Sequence, residues 1–327
     1  MRDPGNRFRF ELAGSQWSEN RGEWRMPVMI TESTSIDYDI NGDGPPLVLI
    51  SGLGFGRWGW FKQVPALSRH FRTITFDIRG ERTLENGVHD LVRDVVSLLD
   101  HLGVKKAHVF GASLGGFVGQ ELALLRPDLV DRLVLVSTSY GGRGPESMSM
   151  QALSDMLGWG SLSPEGVVRR GLETATSGTY RAKRGEEFEQ IVSWRLADSP
   201  SSAAYYEQAR AGAGFDLSRG VEHITSPTLV IHGAEDRYVP VANAAALAGA
   251  IPGARLRVLD RAGHLVFIER FADVNRGVVG FLKPRGSRRQ AGANVQRARR
   301  RDRVLGWIRE VPRSLWRWSG RLWDSIF

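Results

Sequence analysis

Short, largely apolar runs recur along this chain, most of them spaced so that a helix fits between them. Residues 47–51, 73–76, 107–110, 132–136, 228–232 and 255–259 are such runs. Residues 35–40 add an alternating strand followed by the turn Asn41-Gly42-Asp43-Gly44. Between the runs, residues 89–102 show helical spacing at Leu91, Val95, Leu98, Leu99 and Leu102, with Gly103 as C-cap. Residues 114–125 read as a helix ended by Pro127, and residues 265–282 as a final helix. Strands this rich in apolar residues must be covered on both faces. The pattern therefore predicts an α/β fold with a mainly parallel sheet and helices on both sides. Between residues 140 and 225 the rhythm breaks into helical spacing with scattered aromatics (Trp159, Trp194, Tyr205, Tyr206). That stretch reads as a helical cap inserted between two strands, which gives core segments 26–139 and 226–282.

Composition narrows the chemistry. With 42% apolar and 24% charged residues, the 327-residue chain can bury an ordinary core. It has no cysteine, which excludes disulfides, thiolate metal sites and a cysteine nucleophile, and fits a cytoplasmic setting. Residues 1–25 are polar and mixed in charge, without a secretory apolar segment, and read as a loose extension. The net charge of +8 is unevenly placed. Residues 283–327 hold 13 Lys+Arg against 3 Asp+Glu, leaving 31 and 33 in the near-neutral remainder.

Gly111-Ala112-Ser113-Leu114-Gly115-Gly116 follows a strand and opens a helix. That is the context a nucleophile elbow requires, with Ser113 as the exposed nucleophile. The amide of Leu114 lies at a helix N-terminus, where unpaired donors and the dipole favour an oxyanion. A serine needs a base, and the chain has seven histidines. His70, His89, His101, His108 and His223 fall away from strand ends or in the insertion, and His232 ends an apolar run as a packed residue. His264 lies in Arg261-Ala262-Gly263-His264, between the last strand and the last helix, where sites collect in such sheets. The acid that orients it is expected in Gly233-Ala234-Glu235-Asp236, with Asp236 preferred and Glu235 and Asp260 as neighbours able to serve. The order serine, acid, histidine separates this set from chymotrypsin-type and subtilisin-type proteases. The second oxyanion donor is expected from Leu53 in the glycine-rich loop 51–56, with Gly52, Trp58 and Trp60 lining the pocket.

These pieces resemble the cap-bearing α/β-hydrolases typified by 3-oxoadipate enol-lactonases, esterases and cofactor-free haloperoxidases. The matching segments are Ser51-Gly52-Leu53-Gly54, Asp77-Ile78-Arg79-Gly80, residues 94–102, the elbow, residues 132–136, Gly233-Ala234-Glu235-Asp236 with Pro240, and Ala262-Gly263-His264. The resemblance covers about residues 36–282 and departs at two places. Ser51 stands where the family usually has histidine, and Gly80 runs directly into Glu81-Arg82-Thr83 without the usual longer loop. It implies a serine hydrolase without metal or organic cofactor, cleaving an ester, lactone or thioester of a hydrophobic small molecule or lipid. Perhydrolase, carbon–carbon hydrolase and acyltransferase chemistry use the same triad, and a catalytically silent adaptor would keep the fold alone.

After a linker at 283–296, residues 297–327 interleave arginines at 309, 313, 317 and 321 with Trp307, Trp316, Trp318 and Trp323. A basic amphipathic helix with tryptophans suits an anionic membrane surface, which would place the enzyme on the inner membrane face. Docking on the chain's own cap or on a partner is the alternative, and nucleic acid is not expected. Oligomeric state is not legible.

Overall fold

The computed structural model describes residues 16–18, 23–25, 28–30, 35–77, 83–142, 144, 146–158 and 163–283. The basic tail, and with it the membrane expectation, lies outside the described residues, as does the shortened loop after Asp77. The chain divides into two units, residues 1–282 and 283–327.

A small hairpin pairs β1 (Gln16–Ser18) with β2 (Glu23–Arg25). It lies within the stretch read as a loose extension. Three-residue strands give a single alternation, too little for a pattern. The main sheet has eight strands: β3 (Val28–Ile30), β4 (Ser35–Asn41), β5 (Pro46–Ile50), β6 (Arg72–Phe76), β7 (Ala107–Ala112), β8 (Val130–Val136), β9 (Thr228–Gly233) and β10 (Arg255–Leu259). Their spatial order is β10-β9-β8-β7-β5-β6-β4-β3, parallel from β10 to β6, with β4 and β3 antiparallel. Strand order reverses at β5 and β7, and a crevice at such a switch point is where ligands bind in open α/β sheets.

Side chains of the central strands alternate between two cores. Val48, Ile50, Val109, Leu133 and Leu135 face one cluster, with α2 (Val88–His101) and α3 (Leu114–Leu125) packed on it. Leu47, Leu49, Phe110, Val134 and Val136 face the other. There α1 (Val64–Leu67) and the closing helices cover the sheet. The period of 2 with both faces buried is the reason the central runs are so largely apolar.

Between β8 and β9 stand α4 (Met150–Leu157), α5 (Pro164–Ala175), α6 (Gly178–Lys183), α7 (Gly185–Ala197) and α8 (Ser202–Ala213). Ser149, Ser163, Ser177 and Ser201 each accept a hydrogen bond from the amide three residues on, so four of these helices start at serine caps. After β9, α9 (Val241–Ala250) was not legible. Its alanine-rich sequence carries no apolar stripe. The final helix divides into α10 (Val266–Glu269) and α11 (Phe271–Leu282), because Arg270 leaves helical geometry at φ −118°.

Candidate active site

Ser113 joins β7 to α3 with φ 53° and ψ −117°, a conformation costing an L-residue about 1–3 kcal/mol. Its neighbours hold it there. Ser113 N donates to Val136 O at 2.9 Å, and Ser113 O accepts from Gly116 N at 2.8 Å and Thr138 Oγ1 at 2.9 Å. The turn closes only because two side chains are missing. A Cβ on Gly111 would strike the Gly115 carbonyl, and one on Gly115 would strike the Ile50 carbonyl. Backbone cannot yield to these contacts. Gly115→Ala should therefore lower stability by about 3 kcal/mol or more. Gly280→Ala, in a helix with open space around it, should raise stability by about 0.5–1 kcal/mol. Denaturant midpoints of the two variants check this, and equal effects would contradict the packing of the elbow.

The register pairs Ile50 with Gly111, which brings the loop after β5 beside Ser113. A Cβ built on Gly52 would stand 3.1 Å from Ser113 Cβ and 3.8 Å from its Oγ. Glycine at this position lets backbone approach the hydroxyl. The loop is folded by Phe55 N donating to Gly52 O at 3.1 Å and by buried Ser51 Oγ donating to Gly56 O at 3.3 Å. Ser51 thus supports the loop. Leu53 sits within this turn, and Leu114 is the first residue of α3, whose amide has no partner four residues back.

Asp236, after β9, and His264, after β10, are in contact. His264 Nδ1 lies 2.9 Å from Asp236 Oδ2 and 3.1 Å from Oδ1. Both residues are buried, whereas Glu235 and Asp260 are exposed, so of the acids weighed Asp236 is the one at the imidazole. Asp236 Oδ1 also accepts from the amides of Tyr238 and Val239, each at 2.9 Å. His232 Nε2 completes the set at 3.1 Å from Oδ2, and it also reaches Val239 O at 2.7 Å. His232 is therefore a partner of the acid as well as a packed residue. Burial opposes ionisation of Asp236. Attraction to His264 and hydrogen bonds from His232 and His264 outweigh it and hold the carboxyl well below the usual carboxylate range.

Sequence reasoning missed three supports of the histidine loop. Ser137, at φ 51° on the end of β8, donates its Oγ to His264 O at 2.6 Å. Glu269 accepts from Gly263 N at 2.9 Å and from Ser177 N at 3.0 Å. Burial pushes its carboxyl up against the opposing effect of these bonds. Leu265 N donates to Ala175 O at 3.0 Å, so the α5–α6 turn is bonded to both sides of His264. Only a helix-start serine at 177 signalled this seam. A polar cleft of about 410 Å³ runs along its outer side, lined by Thr176, Ser177, Arg181, Glu235, Asp236 and Arg237. Arg181 and Arg237 donate there to backbone carbonyls at the end of α5.

Of the aromatics expected at the pocket, half-buried Trp58 stacks on Phe55 at 5.0 Å and lies 6.1 Å from Trp194. Trp60 is a correction. It is 1% exposed and packed against Phe110 at 4.9 Å and Phe267 at 5.1 Å, so its ring fills core. A single turn of helix, Arg57–Trp60, sends the two tryptophans to different surroundings, and sequence proximity does not reveal that. Among the described residues no cluster of three His, Asp or Glu is arranged to hold a metal ion.

The sheet and the strand–turn–helix bend at Ser113 define an α/β protein with the elbow geometry of the hydrolase fold. The chain belongs to the alpha/beta hydrolase family, whose model matches residues 47–276. It is 31% identical over 237 residues to "Putative carbamate hydrolase RutD" of Stutzerimonas stutzeri (strain A1501), covering 69% of this chain and 89% of that protein. A hydrolase from Pseudomonas aeruginosa PA01 superposes with TM-score 0.68 at 30% identity, covering 79% of this chain and 98% of the other. The enol-lactonase from Burkholderia xenovorans LB400 superposes with TM-score 0.68 at 28% identity, covering 78% and 99%. The relatives are hydrolytic enzymes, and this chain is an enzyme of the same superfamily.

Proposed function

We propose that the chain hydrolyses a carboxylic ester, lactone or related acyl compound of a small, largely apolar molecule through an acyl-enzyme on Ser113. The observation that carries this reading is the buried Asp236–His264 pair together with a serine held at φ 53°, all at strand ends of one sheet. Ser113 N bonds Val136 O, and Ser137 Oγ bonds His264 O, so the serine and histidine loops flank the end of β8.

In the first half-reaction Ser113 Oγ attacks the carbonyl carbon and His264 takes the hydroxyl proton. The new alkoxide is met by the amides of Leu53 and Leu114. His264 then gives its proton to the departing oxygen, and the carbon–leaving-group bond breaks. Water repeats the sequence on the acyl-enzyme and releases the acid. Asp236 keeps the imidazole in the tautomer that accepts from serine. The names of the carbamate hydrolase and enol-lactonase relatives fit this reading, since both compounds carry an acyl carbon bonded to a heteroatom.

Half-buried Trp58, Phe61 and Trp194 form a contiguous aromatic group beside the loop after β5, with Phe61 and Trp194 rings 5.0 Å apart. They favour a compact acyl group. Initial rates on p-nitrophenyl esters of increasing acyl length test this. Turnover with an optimum at short to medium length is expected. No turnover on any ester or lactone would overturn the proposal.

A further inference from the structure

Asp236 is met by a second histidine that takes no part in the proton transfer. His232 is the penultimate residue of β9, a strand otherwise built from Thr228, Leu229, Val230, Ile231 and Gly233, and it is 0% exposed. Its Nε2 lies 2.7 Å from Val239 O and 3.1 Å from Asp236 Oδ2. A carbonyl oxygen only accepts, so Nε2 carries the hydrogen and is a donor shared between the carbonyl and the carboxylate. Its Nδ1 is buried without a partner. An aliphatic side chain would fill the end of this strand without leaving a polar atom unpaired. The presence of a histidine is accounted for by what Nε2 does at Asp236.

The other groups around the carboxylate are fixed. Oδ1 accepts from the amides of Tyr238 and Val239, each at 2.9 Å, and Oδ2 accepts from His264 Nδ1 at 2.9 Å. Among the described residues, His232 and His264 are the two side chains bonded to Asp236. Tyr238 spends its hydroxyl on Gly171 O at 2.8 Å, and Glu235 and Arg237 are exposed. The neighbouring elements bring no further charge. On β8 the stretch Leu133–Val136 pairs with β9, on β10 Val258 pairs with His232, and α9, packed on β9, has no ionisable residue. An N–H donated to Oδ2 then has two effects. It stops the carboxylate from turning away from His264 Nδ1. It also neutralises part of the charge, so the carboxylate pulls less strongly on the imidazole proton.

We propose that His232 is a positioning residue for the acid–base pair: by holding Asp236 Oδ2 it fixes the carboxylate against His264 and sets the pH range in which His264 takes the serine proton. This rests on the hydrolytic reading above and adds to that site a group which governs its base without touching substrate.

The test uses three replacements in the full chain. Gln brings an amide N–H₂ to the place of Nε2, Asn is one methylene shorter and reaches only the place of Nδ1, and Leu has no donor. Without the donor the carboxylate holds the imidazolium more tightly, so the base is freed only at higher pH. His232→Leu and His232→Asn should therefore raise the midpoint of the acidic limb of kcat/KM on p-nitrophenyl butyrate by about 0.5–1 pH unit, and lower its plateau on the order of 10-fold. His232→Gln should restore both. A packing role alone would lower the thermal midpoint and leave the pH midpoint in place. In the Asp236→Asn background His232→Leu should change kcat by less than about 2-fold, because its effect passes through the carboxylate. Titration of the His264 imidazole by NMR on histidine-labelled protein, assigned with His264→Ala, reads the same midpoint without any ester. An upward shift there in His232→Leu supports the proposal even if no ester is turned over, and then only the hydrolytic reading fails. A midpoint unmoved in both the Leu and Asn variants, or a His232→Leu effect undiminished by Asp236→Asn, would overturn the positioning role and leave the hydrolase reading intact.

Discussion

Ser113→Ala should abolish ester turnover, lowering kcat by roughly 10⁴- to 10⁶-fold at nearly unchanged KM. The size follows from the chemistry removed. Without Oγ there is no acyl-enzyme, and the remaining oxyanion donors and base support only slow attack by water. Stability should stay within about 1 kcal/mol, because alanine carries the same Cβ through the strained φ of 53°. The hydrogen bonds that hold the turn come from its backbone: Ser113 N to Val136 O, and Gly116 N and Thr138 Oγ1 to Ser113 O. Progress curves with p-nitrophenyl butyrate, read beside a thermal melt, separate lost chemistry from lost fold. A Ser113→Ala protein that is folded and retains a tenth of the rate would remove the serine from the mechanism.

Asp236→Asn should lower kcat by about 10³- to 10⁴-fold. The carboxylate accepts from His264, His232 and the amides of Tyr238 and Val239. An amide brings its own N–H₂ into this set of donors and favours the imidazole tautomer that cannot take the serine proton. Glu235→Gln and Asp260→Asn, at exposed positions, should change kcat by less than about 2-fold. Asp236 also links stability to pH. Its pKa in the fold lies below the ordinary unfolded value of about 3.9. Ionisation therefore contributes stability above that pH, and the contribution is lost as pH falls through the folded value. The gap in Tm between wild type and Asp236→Asn should narrow as pH drops below about 4. A gap that is constant from pH 7 to pH 3 would contradict the depressed pKa.

Much of the fold could be read because both faces of the sheet are covered. Runs such as Leu47–Ile50 and Leu133–Val136 cannot be mistaken for amphipathic elements when every position is buried. The helix over Leu114–Leu125 was legible to the residue, since its start is fixed by the elbow. The hairpin β1–β2, the alanine-rich α9 and the break at Arg270 carry no periodic signal long enough to read. At the candidate site, the turn at Ser113 and the strand-end positions of Asp236 and His264, whose side chains meet at 2.9 Å, were legible. Their supports were not. Ser137, His232 and Glu269 act through contacts made only when strands 95 or more residues apart in the chain lie side by side, or when a loop folds back on itself. Trp58 and Trp60 show the same limit at short range, because one stacks on Phe55 and the other is locked against Phe110.

The most direct measurement is the site and rate of covalent labelling by a fluorophosphonate, read by peptide mass on the folded protein. A single phosphonyl adduct on Ser113, absent from Ser113→Ala and formed far more slowly in His264→Ala, is the expected result. An unlabelled Ser113 in folded protein, or labelling at an unchanged rate in His264→Ala, would contradict a serine activated by that histidine.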